Sequence, residues 1–278
     1  MFSGRNLVIA TKHNKERVIA PLLESALGVT CVTPHLFDTD QFGTFSGEIT
    51  REDSPLETAR KKCLFAMEET GCDLAVSSEG SFGPHLNFLF IPADDELILF
   101  IDKKNNLEIV AREITTETNY SGKEILKETE LIEFSERVHF PSHRLILKAT
   151  KDGKSDIKKG IDNIDILLNT FRAFIKDGKS VSVETDMRAC YNPTRMDVIK
   201  QATSKLVEKI RSHCPHCQTP GFGITAAREG LPCSLCGSNT RSILCYISTC
   251  QKCSFVSEEF YPRGKKEEDP MYCDHCNP

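Results

Sequence analysis

Up to about Arg211 the apolar residues fall in two alternating rhythms, short continuous runs and longer stretches spaced by three and four. Runs of four to eight apolar residues bounded by turn signals read as buried strands, and the longer spacing reads as amphipathic helix. Leu7–Ala10 is such a run, followed by a helical pattern that ends at Leu27 before Gly28. Val29–Thr33 predicts a second strand, and Ser54-Pro55 with Glu57 predicts a capped helix that reaches Thr70-Gly71. Leu74–Ser77 reads as a strand that gives way to a Gly-rich turn over Ser78–Gly83. Leu97–Ile101 and Leu107–Ile114 read as a hairpin around Lys103–Asn106. Beyond it the pattern predicts helix over Lys123–Val138, strand over Arg144–Lys148, helix over Ile161–Ile175 and strand over Val181–Glu184. A last helix runs from Asn192-Pro193 to about Arg211. Strand–helix alternation of this kind predicts an α/β domain over 1–210, with a mixed or mostly parallel sheet flanked by helices.

After Arg211 the rhythm stops and four Cys-x-x-Cys pairs take over: Cys214/Cys217, Cys233/Cys236, Cys250/Cys253 and Cys273/Cys276. Eight thiols suit two four-coordinate zinc ions, and a four-thiolate site leaves no open position for water, so both sites are expected to be structural. The gaps between pairs are 15, 13 and 19 residues. The outer two fit the familiar Cys-x2-Cys-x15–20-Cys-x2-Cys spacing, which favours two sequential ribbons over 211–278 and leaves crossed or nested pairing open. Gly237 and Asn277, each after the second Cys of a pair, suit a left-handed backbone. Cys245 stands apart and reads as a small core residue.

Charge narrows the partners. The chain carries a formal net charge of -5, and from Arg211 onward seven Lys/Arg balance seven Asp/Glu. Each tetrathiolate zinc adds about -2, so nucleic acid is an unfavoured partner and a protein partner for the zinc module fits better. No apolar run approaches the roughly 20 residues of a membrane span, and the amino terminus lacks a secretory pattern. A cytoplasmic protein with reduced thiols is expected, with no membrane association.

Candidate chemistry gathers at predicted strand ends, where open α/β sheets collect ligands. Lys12, Asn14 and Lys15 follow the first strand, and Glu79 and Ser81 lie in the Gly-rich stretch after Val76. Asp186 and Arg188 follow the last strand, with Asn192 as a helix cap and Arg195 near that helix's positive end, a potential anion site. A capped helix with an Asp–Arg pair explains the same residues without a ligand. The polar loop Phe37–Glu48 offers Asp38, Asp40 and Glu48 as further acids.

Leu7–Thr11 before a polar turn, Glu57-Thr-Ala-Arg-Lys-Lys62 on a helix and Ala75-Val-Ser-Ser-Glu-Gly-Ser81 together resemble the inosine-triphosphate pyrophosphatase and Maf-like superfamily. That resemblance covers about the first 85 residues. It implies hydrolysis of a nucleotide or related phosphorylated small molecule with Mg²⁺ or Mn²⁺. Phosphate contacts would come from Lys12, Asn14 and Lys15, and Glu57 and Glu79 would hold or orient metal and water. Asp186 is a third candidate catalytic carboxylate, and Ser81, Arg188, Asn192 and Arg195 are candidate substrate contacts. The stretch Ser78–His85 with the Cys-rich tail also looks like an uncharacterised bacterial family, which implies no activity. The alternative function is a non-enzymatic zinc-binding scaffold or protein-interaction protein.

Overall fold

A computed structural model describes residues 1–34, 53–85 and 88–278. The chain divides into two compact units, Met1–Leu206 and Val207–Pro278.

The first unit holds two sheets. In chain order its first half is β1 (Asn6–Ile9), α1 (Glu16–Leu27), β2 (Thr30–Val32), α2 (Pro55–Thr70), β3 (Leu74–Pro84), β4 (Pro92–Asp102) and β5 (Leu107–Thr115). The sheet order is β2-β1-β3-β4-β5. β1 is parallel to both β2 and β3, whereas β4 and β5 continue as antiparallel hairpins, so the sheet is mixed. Gly28 and Gly71 stop α1 and α2 in the left-handed conformation, φ 66° and 70°, each donating its N–H back to the helix. Ser54 and Glu57 form a reciprocal capping box at the start of α2. Val8, Ala10, Ala75, Leu99 and Ile101 pack with Ala59, Cys63, Ala66 and Met67 of α2.

The second half comprises β6 (Gly122–Ile125), α3 (Glu128–Arg137), β7 (Leu145–Lys151), β8 (Lys154–Ile161), α4 (Ile164–Lys176) and β9 (Ser180–Thr185), then α5 (Pro193–Arg211), which runs across the division between the units. An antiparallel sheet of order β6-β9-β7-β8 results. Ile125, Leu145, Leu147, Val181 and Val183 bury against Leu131, Phe134, Leu167 and Phe171 of α3 and α4.

Two expectations change here, and one strand appears where none was expected. β3 does not turn at Ser78 but continues extended to Pro84, because every residue from Leu74 pairs with β4 in unbroken register. Gly122–Ile125 is a strand rather than the start of a helix, since those residues pair with Val181–Glu184. Lys154–Ile161, whose apolar signal is sparse, pairs with β7.

The second unit is a three-stranded antiparallel sheet, β10 (Ile224–Glu229), β11 (Ile243–Thr249) and β12 (Val256–Phe260), with β11 central. Among the described residues no helix is long and apolar enough to cross a membrane.

Candidate functional site

β3 carries the densest polar cluster of the first unit, and its pleat sorts that cluster onto two faces. Paired residues of β3 and β4 share a face, so Ser77, Glu79 and Ser81 point with Asp95 and Leu97, while Ser78, Gly80 and Phe82 point with Asp94, Glu96 and Ile98. Glu79 is 3% exposed, and Lys62 of α2 donates to its Oε1 at 2.5 Å. On the other face Lys15, which precedes α1, donates to Ser78 Oγ at 3.0 Å and to Ser78 O at 3.2 Å. Both lysines therefore reach the part of β3 just beyond its parallel pairing with β1, which ends at Ile9↔Val76. Burial, with the Arg195 charge next, pushes the Lys15 ammonium down to about 8.

The Ser78 face continues into a buried ion network. Arg195 of α5 is fully buried, donates from Nε to Glu96 Oε1 at 2.6 Å and from its guanidinium to the Met187 carbonyl, and lies 5.0 Å over the Phe82 ring. Gly80 is what lets the guanidinium approach: a Cβ there would stand 2.6 Å from Arg195 Nη2 and would overlap the Glu96 carboxylate. Asn192 caps the helix, its Oδ1 accepting from Arg195 N at 3.0 Å, while its Nδ2 donates to Asn119 Oδ1 at 2.8 Å. Asp94 is buried with neither carboxylate oxygen hydrogen-bonded. Burial first, then the Glu96 charge, pushes its carboxyl up to about 8, against the opposing pull of Arg195 and Lys15.

The three carboxylates proposed as catalytic do not meet in one constellation. Glu57 is exposed on the first turn of α2, where its carboxylate accepts from Ser54 N at 3.0 Å and Ser54 Oγ at 2.8 Å; that hydrogen bonding holds it below the usual carboxylate range. Glu79 faces α2. Asp186, fully buried just after β9, accepts from Arg188 Nε at 2.9 Å and from Gly160 N at 3.1 Å, the internal pairing of the ligand-free explanation. Lys12 and Asn14 stay in the β1–α1 turn, where His13 and Asn14 adopt left-handed φ of 71° and 61° and Asn14 is exposed. Ser81 and Arg188 line a cleft of about 820 Å³ together with Phe82, Tyr120, Lys123 and Lys159. Asp38, Asp40 and Glu48 lie outside the described residues. Sequence reasoning missed Asp94 and Glu96, although acids at alternate positions leading into the apolar run of β4 were a signal of one polar patch on a buried face.

In the second unit the cysteines assemble into two groups, Cys214, Cys217, Cys250 and Cys253 in one and Cys233, Cys236, Cys273 and Cys276 in the other. The pairing is crossed, and this corrects the sequential ribbons expected from spacing. The reason is that the gaps contain strands. β10 leads away from the first pair to the second, antiparallel β11 returns the chain so that the third pair meets the first, and β12 leads away again. A parallel bridge between Cys233 and Glu268 then brings the fourth pair to the second.

Sulfurs from different pairs lie 3.7 and 3.6 Å apart in the first group and 3.8 and 3.7 Å apart in the second. Four sulfurs placed tetrahedrally at zinc's bond length of about 2.3 Å would be about 3.8 Å apart. The donor set thus fits zinc, and all thirteen cysteines are free of disulfides. Each pair forms the same knuckle: the residue after the second Cys donates its N–H to the first Cys carbonyl, at 2.8, 2.9, 3.0 and 2.8 Å in chain order. Gly237 takes the expected left-handed φ of 72°, and Gln218 and Ser254 do the same at 60° and 57°. Asn277 is not among the residues with positive φ. Cys245 is buried outside both groups. The described residues hold no comparable cluster of three or more acids, histidines or cysteines in the first unit.

No curated protein matches this chain. Among solved structures, the crystal structure of protein VC0702 from Vibrio cholerae is similar over 73% of this chain and 93% of that one, at 9% identity and a TM-score of 0.31. A likeness that low carries no argument, and the resemblance to the pyrophosphatase and Maf-like superfamily gains no support from these comparisons. One family profile, described as a domain of unknown function, matches residues 62–278, which takes in β3, the buried ion network and all eight cysteines of the two four-cysteine groups. By that match over most of its length, the chain belongs to the uncharacterised family DUF6671.

Proposed function

We propose that the first unit is a metal-dependent phosphohydrolase acting on a nucleotide or related phosphorylated small molecule, and that the zinc module is structural. One observation carries this reading: just past the parallel-paired segment of β3, Lys62 reaches Glu79 on one face of the sheet and Lys15 reaches Ser78 on the other. Ligands in open α/β sheets gather at that end of parallel strands. The Lys62 ammonium, on the Glu79 face, would neutralise a phosphate oxygen held beside that carboxylate. Mg²⁺ commonly takes one or two carboxylates and completes its shell with phosphate and water. Glu79 offers one carboxylate, and Asp95 stands on the same face two residues along the pairing. A bound divalent ion would supply a Lewis acid for the phosphoryl oxygen and a more acidic water. The chain's own part is to orient Glu79 through Lys62 and to offer the cleft beside Ser81 and Phe82 to the rest of the substrate.

The test is release of phosphate or pyrophosphate from a nucleotide panel with Mg²⁺ and Mn²⁺, using zinc-loaded protein. Activity with at least one nucleotide is expected, falling by at least about 100-fold in Glu79→Gln, as for loss of a general acid–base or metal-orienting group. A folded, zinc-loaded chain with no activity on any of them would remove the reading. A second reading, a protein-interaction role for the zinc module, is favoured by the apolar side chains that this unit leaves exposed, among them Leu235, Val256, Phe260 and Met271.

A further inference from the structure

The two outer strands of the zinc-module sheet are not equivalent. β10 carries two register shifts against β11, an irregularity that blunts a sheet edge. β12 pairs with β11 in unbroken register, and all five of its residues are exposed. Hydrogen bonds from Cys250 N to Phe255 O and from Tyr261 N to Leu244 O bracket that register. Antiparallel pairing alternates, so residues 255, 257, 259 and 261 turn their peptide groups toward β11. Val256, Glu258 and Phe260 consequently turn theirs to the open edge, and β12 has no strand neighbour there among the described residues.

The side chains on this edge are patterned too. Val256 and Phe260, 51% and 50% exposed, flank Glu258 on one face, and Glu259 stands beside Ser257 on the other. Glu258 is held by Arg228 at 2.9 and 3.0 Å, which leaves Glu259 as the exposed charge. Full-length antiparallel pairing of β12 with a second copy would place Glu258 opposite Glu258, a destabilising like-charge pair. Once both zinc sites are filled, the module's balanced side chains leave it with a net charge of about -4.

We propose that β12 is a docking edge for an extended segment of another protein, one in which apolar residues alternate with Lys or Arg. Main-chain hydrogen bonds to Val256, Glu258 and Phe260 would supply the pairing, as in other strand-addition complexes. Apolar residues would pack on Val256 and Phe260, and a cation would face Glu259. β12 begins three residues after Cys253, so the first metal site fixes the start of the edge and reduces the ordering that binding requires. The proposal deepens the protein-interaction reading and does not depend on the phosphohydrolase reading.

Selection of random displayed decapeptides on the zinc-loaded full-length chain tests it, with Glu259→Lys as the comparison target. Selected peptides are expected to alternate apolar residues with Lys or Arg. They should bind Glu259→Lys at least about tenfold more weakly, the scale of a lost interfacial charge pair, and slow amide exchange at Val256, Glu258 and Phe260. Peptides that bind the variant equally well, or that protect other amides, would overturn the edge while leaving a partner-binding module. No enrichment at all would overturn both.

Discussion

The two units are held together by different means. The first buries two apolar clusters, one between the mixed sheet and α2 and one between the antiparallel sheet and α3 and α4, and it can accommodate an internal ion network beside them. In the second, four of the few buried side chains are cysteines of the metal groups, and every residue of β10 and β12 is exposed. A segment of that size has too little interior to repay its conformational entropy through burial alone, and two four-cysteine groups able to hold a metal stand where a core would. In the first unit the buried charges are a strain the core supports; in the second the buried cysteines stand where a core would.

The largest effect should come from taking the metal away. Native mass spectrometry is expected to find two zinc ions per chain, and chelation should unfold the second unit, since structural zinc is worth about 10–16 kcal/mol in small modules. Exchange protection in β3 and β4 should survive. Loss of protection in both units together, or a folded second unit without metal, would break the contrast.

Arg195→Ala should be the next largest. It leaves Glu96 buried without its cation, at a cost of about 3–5 kcal/mol in urea unfolding of the first unit. The double replacement Arg195→Met with Glu96→Leu should recover most of that loss, because it removes both charges. An unchanged midpoint for Arg195→Ala would show that the network contributes nothing to stability.

The smallest effect depends on pH. Asp94 has its folded pKa raised to about 8, so the stability it contributes is complete below its unfolded value near 4 and is lost as pH rises through 8. Lys15, lowered to about 8, works the other way: its contribution is complete above about 10.4 and is lost as pH falls through 8. Below pH 8 the Lys15 contribution varies little, so the Asp94 trend can be isolated. Asp94→Asn should gain on the order of 2 kcal/mol relative to the unaltered chain between pH 5 and 8. A constant difference across that range would mean Asp94 is ionised throughout.

Local signals proved the most legible. Ser54, Pro55 and Glu57 announce a helix start because all three act within one turn, and the structure shows the reciprocal cap they form. The eight metal-site cysteines were legible as a set but not in their pairing, because spacing counts residues and does not register that β11 reverses the chain between the second and third pairs. Lys123 and Glu124 favour helix locally, and only pairing with β9 makes Gly122–Ile125 extended. The sequence places Glu79 in a Gly-rich turn after the strand, whereas the structure buries it within β3, paired with Leu97. Extending β3 through Ser78 and Gly80 sets the alternation that separates it from Asp94 and Glu96.

The crossed pairing also constrains how the molecule is made. Cys214 and Cys217 leave the ribosome well before Cys250 and Cys253, and Cys233 and Cys236 well before Cys273 and Cys276, so two half-sites are open in the nascent chain at once. Each offers two thiolates that could capture a metal in the wrong combination, and neither site closes before the next pair has begun. A chain truncated between the second and third pairs would retain half of each site and complete neither. The module must therefore be inherited, cut or transplanted whole.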